Sequence, residues 1–205
     1  MRLEGHASSG YNWVKNLVQE VVGRGCLKKG CSLLLFFYLM IPQISACAEI
    51  FLPLQSSSSR NIENVPFYPQ EVYQCGPASM AGVLNYWGVN VSPEEIAAEI
   101  YSPSAKGTLT LDMILYAERK GLKANGYKGN LLNIKEKIDS GYPIIVLVDL
   151  GFWIYQQNHF MVVTGYDESG VIVNSGKEGQ KFIASKDFLK SWRRTNFWTL
   201  LITPK

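Results

Sequence analysis

The apolar periodicity of this chain changes once, at Pro143, and that change restricts the fold more than any other feature. Upstream of it the spacing is helical. Gly76 to Trp87 reads as a helix ended by Gly88, with Met80, Val83, Leu84 and Trp87 on one stripe. Ser92-Pro93-Glu94-Glu95 joins a capping Ser, a Pro at the first helical position and a Glu three residues after the cap. A second helix should therefore run to about Tyr101. Leu109 to Lys120 and Leu131 to Ser140 read as two more, stopped by Gly121 and Gly141. Downstream, Ile144 to Leu150 is a continuous apolar run of the kind found in strands covered on both faces. Phe160 to Tyr166 and Val171 to Asn174 flank Asp167-Glu168-Ser169-Gly170, a hairpin signal in which Asp167 is a turn residue. A strand from Phe182, a short helix from Asp187 to Arg193 and a strand from Phe197 to Thr203 follow. Helices first and an antiparallel sheet afterwards predict an α+β domain.

The residues before Val65 are of a different character. Leu33 to Ile41 is a short apolar run after Lys28-Lys29, followed by Ile44-Ser45-Ala46-Cys47. A membrane-spanning helix needs about 20 apolar residues and a secretory signal only about 7–15, so residues 1–46 read as a signal peptide. Its end resembles a bacterial lipobox, which makes Cys47 the expected lipidation site and the protein an exported lipoprotein held on a membrane surface through N-terminal lipid. Residues 47–64 include Gln55-Ser56-Ser57-Ser58-Ser59 and read as a tether, leaving 65–205 as the folded domain. The chain carries a formal charge of +3. Five of its basic residues (Arg2, Lys15, Arg24, Lys28, Lys29) and two acidic ones (Glu4, Glu20) lie in the signal. The mature net charge is then zero, and nothing points to nucleic acid.

Cysteine usage sharpens the reading. Of 4 Cys, Cys26 and Cys31 leave with the signal and Cys47 takes lipid, so Cys75 has no disulfide partner. An unpaired thiol in an exported protein is either a buried packing residue or a group whose chemistry is needed. The mature chain has one other soft ligand, His159, with no paired-ligand spacing, so neither a metal nor a cofactor is expected. Cys75 stands at a helix start, where exposed N–H groups and the helix dipole favour thiolate. Gly76 is expected to leave room beside the sulfur for a substrate backbone. His159 opens a strand and supplies an imidazole as base and then acid. The amide of Gln70, five residues before the Cys, can donate to a developing oxyanion. Asp149 is a weaker candidate for the site, and Trp153 with Tyr155 are candidates to line a substrate groove.

Three blocks then line up in order: Val65-Pro66-Phe67-Tyr68-Pro69-Gln70, Cys75-Gly76-Pro77-Ala78-Ser79 and His159-Phe160-Met161-Val162-Val163-Thr164-Gly165-Tyr166-Asp167. Together they resemble the bacteriocin-processing (double-glycine type) cysteine peptidases and their stand-alone relatives, over residues 65–203. The resemblance implies a papain-like fold, with a nucleophile helix packed on a C-terminal antiparallel sheet, and peptide cleavage through a Cys–His acyl-enzyme. It implies Gln70 as oxyanion donor, Cys75 as nucleophile and His159 as base. The chain departs from the pattern at the third residue: Ser175 stands where the family usually places an Asp. Strand alternation lets one of Asn174 and Ser175 face His159 unless a bulge intervenes, and Asn174 is the expected partner. The expected function is thus a membrane-anchored thiol peptidase acting on a peptide or protein. The alternatives are a peptide-binding lipoprotein without turnover and a thiol amidase or acyl transferase.

Overall fold

The structure is a computed structural model. It describes residues 59–69 and 74–205, so the signal segment, Cys47, most of the tether and Gln70 lie outside the described residues. The described residues belong to a compact unit assigned to Pro53–Lys205.

Four helices form where the spacing predicts them: α1 (Cys75–Tyr86), α2 (Pro93–Ile100), α3 (Thr110–Arg119) and α4 (Leu131–Asp139). Their ends follow the local chemistry. Ser92 Oγ accepts from Glu95 N–H while the Glu95 carboxylate accepts from Ser92 N–H, which is the capping box. Gly88, Gly121 and Gly141 close α1, α3 and α4 with φ of 82°, 88° and 78°, a conformation only glycine adopts without strain.

A seven-stranded antiparallel sheet forms the other layer. Its members are β1 (Arg60–Asn61), β4 (Lys123–Lys128), β5 (Ile144–Asp149), β6 (Asn158–Tyr166), β7 (Gly170–Ser175), β8 (Glu178–Ala184) and β9 (Trp198–Thr203). The order is β4-β9-β5-β6-β7-β8, with β1 added to the far end of β6. A separate hairpin, β2 (Tyr101–Ser102) and β3 (Gly107–Thr108), follows α2. Helix α5 (Ser185–Arg193) packs on β5, β7 and β8, burying Phe188 and Trp192. The core lies between α1 and the sheet: Met80, Val83 and Leu84 face Ile144, Ile145, Val162 and Leu200, all essentially excluded from water.

The architecture is α+β with a papain-like arrangement of helix on sheet. Several details differ from the sequence reading: the β2–β3 hairpin was not expected, and β8 begins at Glu178 and not at Phe182. Strand β4 separates the helices, because Lys123 to Lys128 carries few apolar residues and sits at a sheet edge, where one side needs no cover. The packed body also starts before Val65. Arg60 and Asn61 pair with Tyr166 and Gly165, and Ile62 is buried, so the last residues given to the tether are sheet.

Candidate active site

Cys75 is the first residue of α1, and no side chain caps that helix. Every residue from Gly76 to Leu84 is buried, so the helix is fixed against β6 with its N-terminus at the end of the sheet where β6 begins. The Sγ atom of Cys75 accepts hydrogen bonds from backbone N–H groups, those of Phe160 and Gly76 among them. Phe160 directly follows His159. Helix α1 and the strand that carries His159 therefore meet at the sulfur. Cys75 is half-buried and is the one free cysteine among the described residues.

His159 is the second residue of β6, paired across to Val148. Its Nε2 lies 2.9 Å from Ser175 Oγ, at the end of β7. With Nε2 engaged by the hydroxyl, Nδ1 is the nitrogen left for proton transfer. The partner expected for His159 was Asn174, and the structure places it elsewhere. Asn174 is buried on the neighbouring register position, opposite Val162; its Oδ1 accepts from Gln180 N–H at 3.0 Å and its Nδ2 donates to Val65 carbonyl at 3.5 Å. Alternation separates the two side chains: with Asn174 opposite Val162, the next residue, Ser175, falls on the face of β6 that carries His159. Asn174 thus ties the chain near Val65 to the β7–β8 turn, and Ser175 contacts the imidazole.

The electrostatics also depart from the thiolate expectation. Burial raises the Cys75 thiol, and the N–H donors from Phe160, Gly76 and Cys75 itself offset this only in part. Burial lowers His159, and the positive charge of Lys181 lowers it further. Both shifts oppose charge and so favour a neutral thiol and a neutral imidazole at rest. Lys181 was not singled out from sequence; it is an exposed strand residue, paired with Glu178 at 3.3 Å, and only the fold brings its charge near the ring.

Other expectations resolve as follows. A Cβ at Gly76 would meet Thr108 Cβ at 2.7 Å, so the β2–β3 hairpin fills the space that was expected to admit substrate. Asp149 is turned away from His159: its Oδ1 accepts from Gly151 and Gln157 N–H, each at 2.8 Å, and its Oδ2 pairs with Arg194 Nε at 2.7 Å. Trp153 and Tyr155 stand exposed on the loop between β5 and β6. Asp167 is the turn residue, its Oδ1 accepting from Ser169 and Gly170 N–H.

Comparison with known proteins agrees with this geometry. The model of the Peptidase_C39 like family matches residues 62–199. The probable functional amyloid protease FapD of Pseudomonas fluorescens is 28% identical over 164 residues, covering 75% of this chain and 67% of that protein. A Bacillus anthracis protein assigned to the C39-like peptidases superposes with a TM-score of 0.62 at 16% identity, over 72% of this chain and 98% of that one. A double glycine motif protease from an AMS/PCAT transporter, solved with its leader peptide, superposes with a TM-score of 0.56 at 24% identity, over 71% and 95%. With the family model matched across β5, β6 and α1 and the same fold in both solved structures, the chain belongs to the Peptidase_C39-like family, and its described body is a cysteine-peptidase domain.

Proposed function

We propose that this protein cleaves a peptide or protein substrate through an acyl-enzyme on Cys75. The observation that carries the reading is the meeting of three groups at one end of the sheet: Cys75 Sγ on the Phe160 N–H, and the adjacent His159 on Ser175. As substrate enters, His159 Nδ1 takes the thiol proton while Sγ attacks the carbonyl carbon; the same proton then goes to the leaving amine. Water next attacks the thioester, giving up a proton to the imidazole, and the acid product leaves with the thiol restored. Ser175 holds the ring. As a neutral hydroxyl it gives the imidazolium less support than a carboxylate would, so turnover is slow for a thiol peptidase. Gln70 is our proposed oxyanion donor, from a segment outside the described residues.

The neutral resting pair and the Ser in place of an acid also favour a second reading, a peptide-binding lipoprotein with little turnover. In both readings we place the protein outside the cytoplasm, lipidated on Cys47 and held on a membrane surface. The name of the Pseudomonas relative directs attention to exported, self-assembling polypeptides as substrates. Comparison of terminal peptides from cells carrying the native protein or Cys75→Ala tests the choice. The peptidase reading expects protein ends that vanish in the variant; identical sets of ends overturn it in favour of binding.

A further inference from the structure

The β5–β6 loop, residues 150–157, combines two features that rarely occur together. Its tip is apolar and almost wholly exposed: Phe152, Trp153, Ile154 and Tyr155 each keep between 72% and 86% of their surface open. A run of four consecutive exposed large apolar residues costs solubility and gains nothing inside this fold. Yet the loop is not loose. Arg194 donates to the carbonyls of Gly151, Trp153 and Tyr155 at 2.8, 3.3 and 3.3 Å, and pairs with the buried Asp149. Asp149 in turn accepts from Gly151 and Gln157 N–H, and Leu150 N–H donates to the Gln157 carbonyl at 2.9 Å. At the tip, Tyr155 N–H closes a turn on the Phe152 carbonyl at 2.9 Å. Gly151 is obligatory, since a Cβ there would overlap the Tyr155 carbonyl oxygen. The fold holds the four side chains out into water.

We infer that this tip is a membrane-docking element that inserts into the interfacial zone of an anionic lipid surface. Three observations select lipid over a peptide. The tip is a protruding turn with its side chains in solvent, whereas a side-chain subsite is concave and buries its lining. Its composition, Trp and Tyr with Phe and Ile, is the composition that partitions at the headgroup boundary. Third, Lys186, Lys190 and Arg193 share the exposed stripe of α5 opposite the buried Phe188 and Trp192, and the residue that caps this helix, Arg194, clamps the loop. Cations beside an apolar tip suit anionic headgroups, and Asp187 is the one acid among the residues of α5. This contact is independent of the peptidase reading and is additional to any lipid on Cys47.

The test uses the full chain and reads Trp153 alone, as the difference in emission between the native protein and Trp153→Phe. Vesicles are phosphatidylcholine, with and without phosphatidylglycerol, and carry brominated acyl chains as quenchers. The expected result is a blue shift and quenching of the Trp153 component on anionic vesicles, weakened by high salt. In the double variant Phe152→Ser, Ile154→Ser the lipid concentration needed should rise at least about tenfold, given the apolar area removed from the contact. In Lys190→Glu the preference for anionic vesicles should fall. Trp153 emission unmoved by either vesicle overturns the inference. So does quenching that the double Ser variant leaves unchanged, or a Trp153 response to an apolar peptide with none to lipid.

Discussion

Two polar constellations sit at the same end of the sheet, and they are built in opposite ways. At the root of the β5–β6 loop, a buried carboxylate meets a guanidinium and two backbone N–H groups, and every member is charged or charge-assisted. Burial alone would raise the Asp149 carboxyl, but the N–H donors of Gln157 and Gly151 and the Arg194 charge outweigh it and hold it below the usual carboxylate range. Beside it, His159 has one neutral hydroxyl partner, a desolvating environment and a nearby Lys. The first arrangement fixes geometry and leaves no proton to exchange near neutral pH. The second keeps a proton acceptor neutral and able to move. A structural clamp needs settled charge; a general base needs charge that has not yet formed.

The largest expected effect falls on the mobile side of this contrast. His159→Ala should reduce turnover by about 10²–10⁴-fold, the range for losing a general base, with the thermal transition little changed. Steady-state rates and calorimetry on one preparation check both halves. On the clamped side, Arg194→Ala leaves Asp149 buried without its cation. Because Arg194 is partly open to water, the cost should be about 2 kcal/mol, below the range for fully buried pairs. Denaturant midpoints measure this, and faster amide exchange at Gly151 and Gln157 would locate it; unchanged exchange there would break the comparison.

Smaller effects separate the two neighbours on β7. Ser175→Ala should cost about 1 kcal/mol of transition-state stabilisation, the scale of one neutral hydrogen bond. Asn174→Ala should instead lower stability and leave the pH profile in place, because its partners are Val65 and Gln180. Were Asn174→Ala to shift the profile and Ser175→Ala not, the assignment on β7 would be reversed. The smallest effect concerns pH itself. A lowered His159 stays neutral further into acid, so the acidic limb of kcat/KM should fall below about 6.5, the ordinary histidine value. Ser175→Asp, by supporting the imidazolium, should move that limb upward. The same shift links to folding: protonating the ring is harder in the folded chain than in the unfolded one. His159 therefore subtracts stability progressively as pH falls below its unfolded value, and leaves it unaffected above.

Much of this was legible from residue order, and the parts that were not share a cause. Helix ends at Gly88, Gly121 and Gly141 and the cap at Ser92 are written in a few adjacent residues, so local rules suffice. The positions of Cys75 at a helix start and His159 near a strand start were accessible because each leaves a local trace. The choice between Asn174 and Ser175 was not, since it depends on the register of β7 against β6, which no local pattern reports. The upward pull on the Cys75 thiol was hidden for a related reason. A helix N-terminus is visible in sequence, whereas the desolvation that outweighs it comes from chain segments far apart. Thr108 against Gly76, Lys181 near His159 and Arg194 on the loop are likewise products of tertiary packing.

The central claim, that Cys75 carries an acyl group delivered with His159 as base, is open to direct capture. Native protein and His159→Ala are each mixed with a peptide pool, quenched in acid and digested, and the fragment carrying Cys75 is weighed. The account predicts peptidyl mass on Cys75 in the native protein, released by hydroxylamine as a thioester must be, and at least about 10²-fold slower to appear in the variant. No adduct on Cys75, or an adduct forming equally fast without the imidazole, would contradict it.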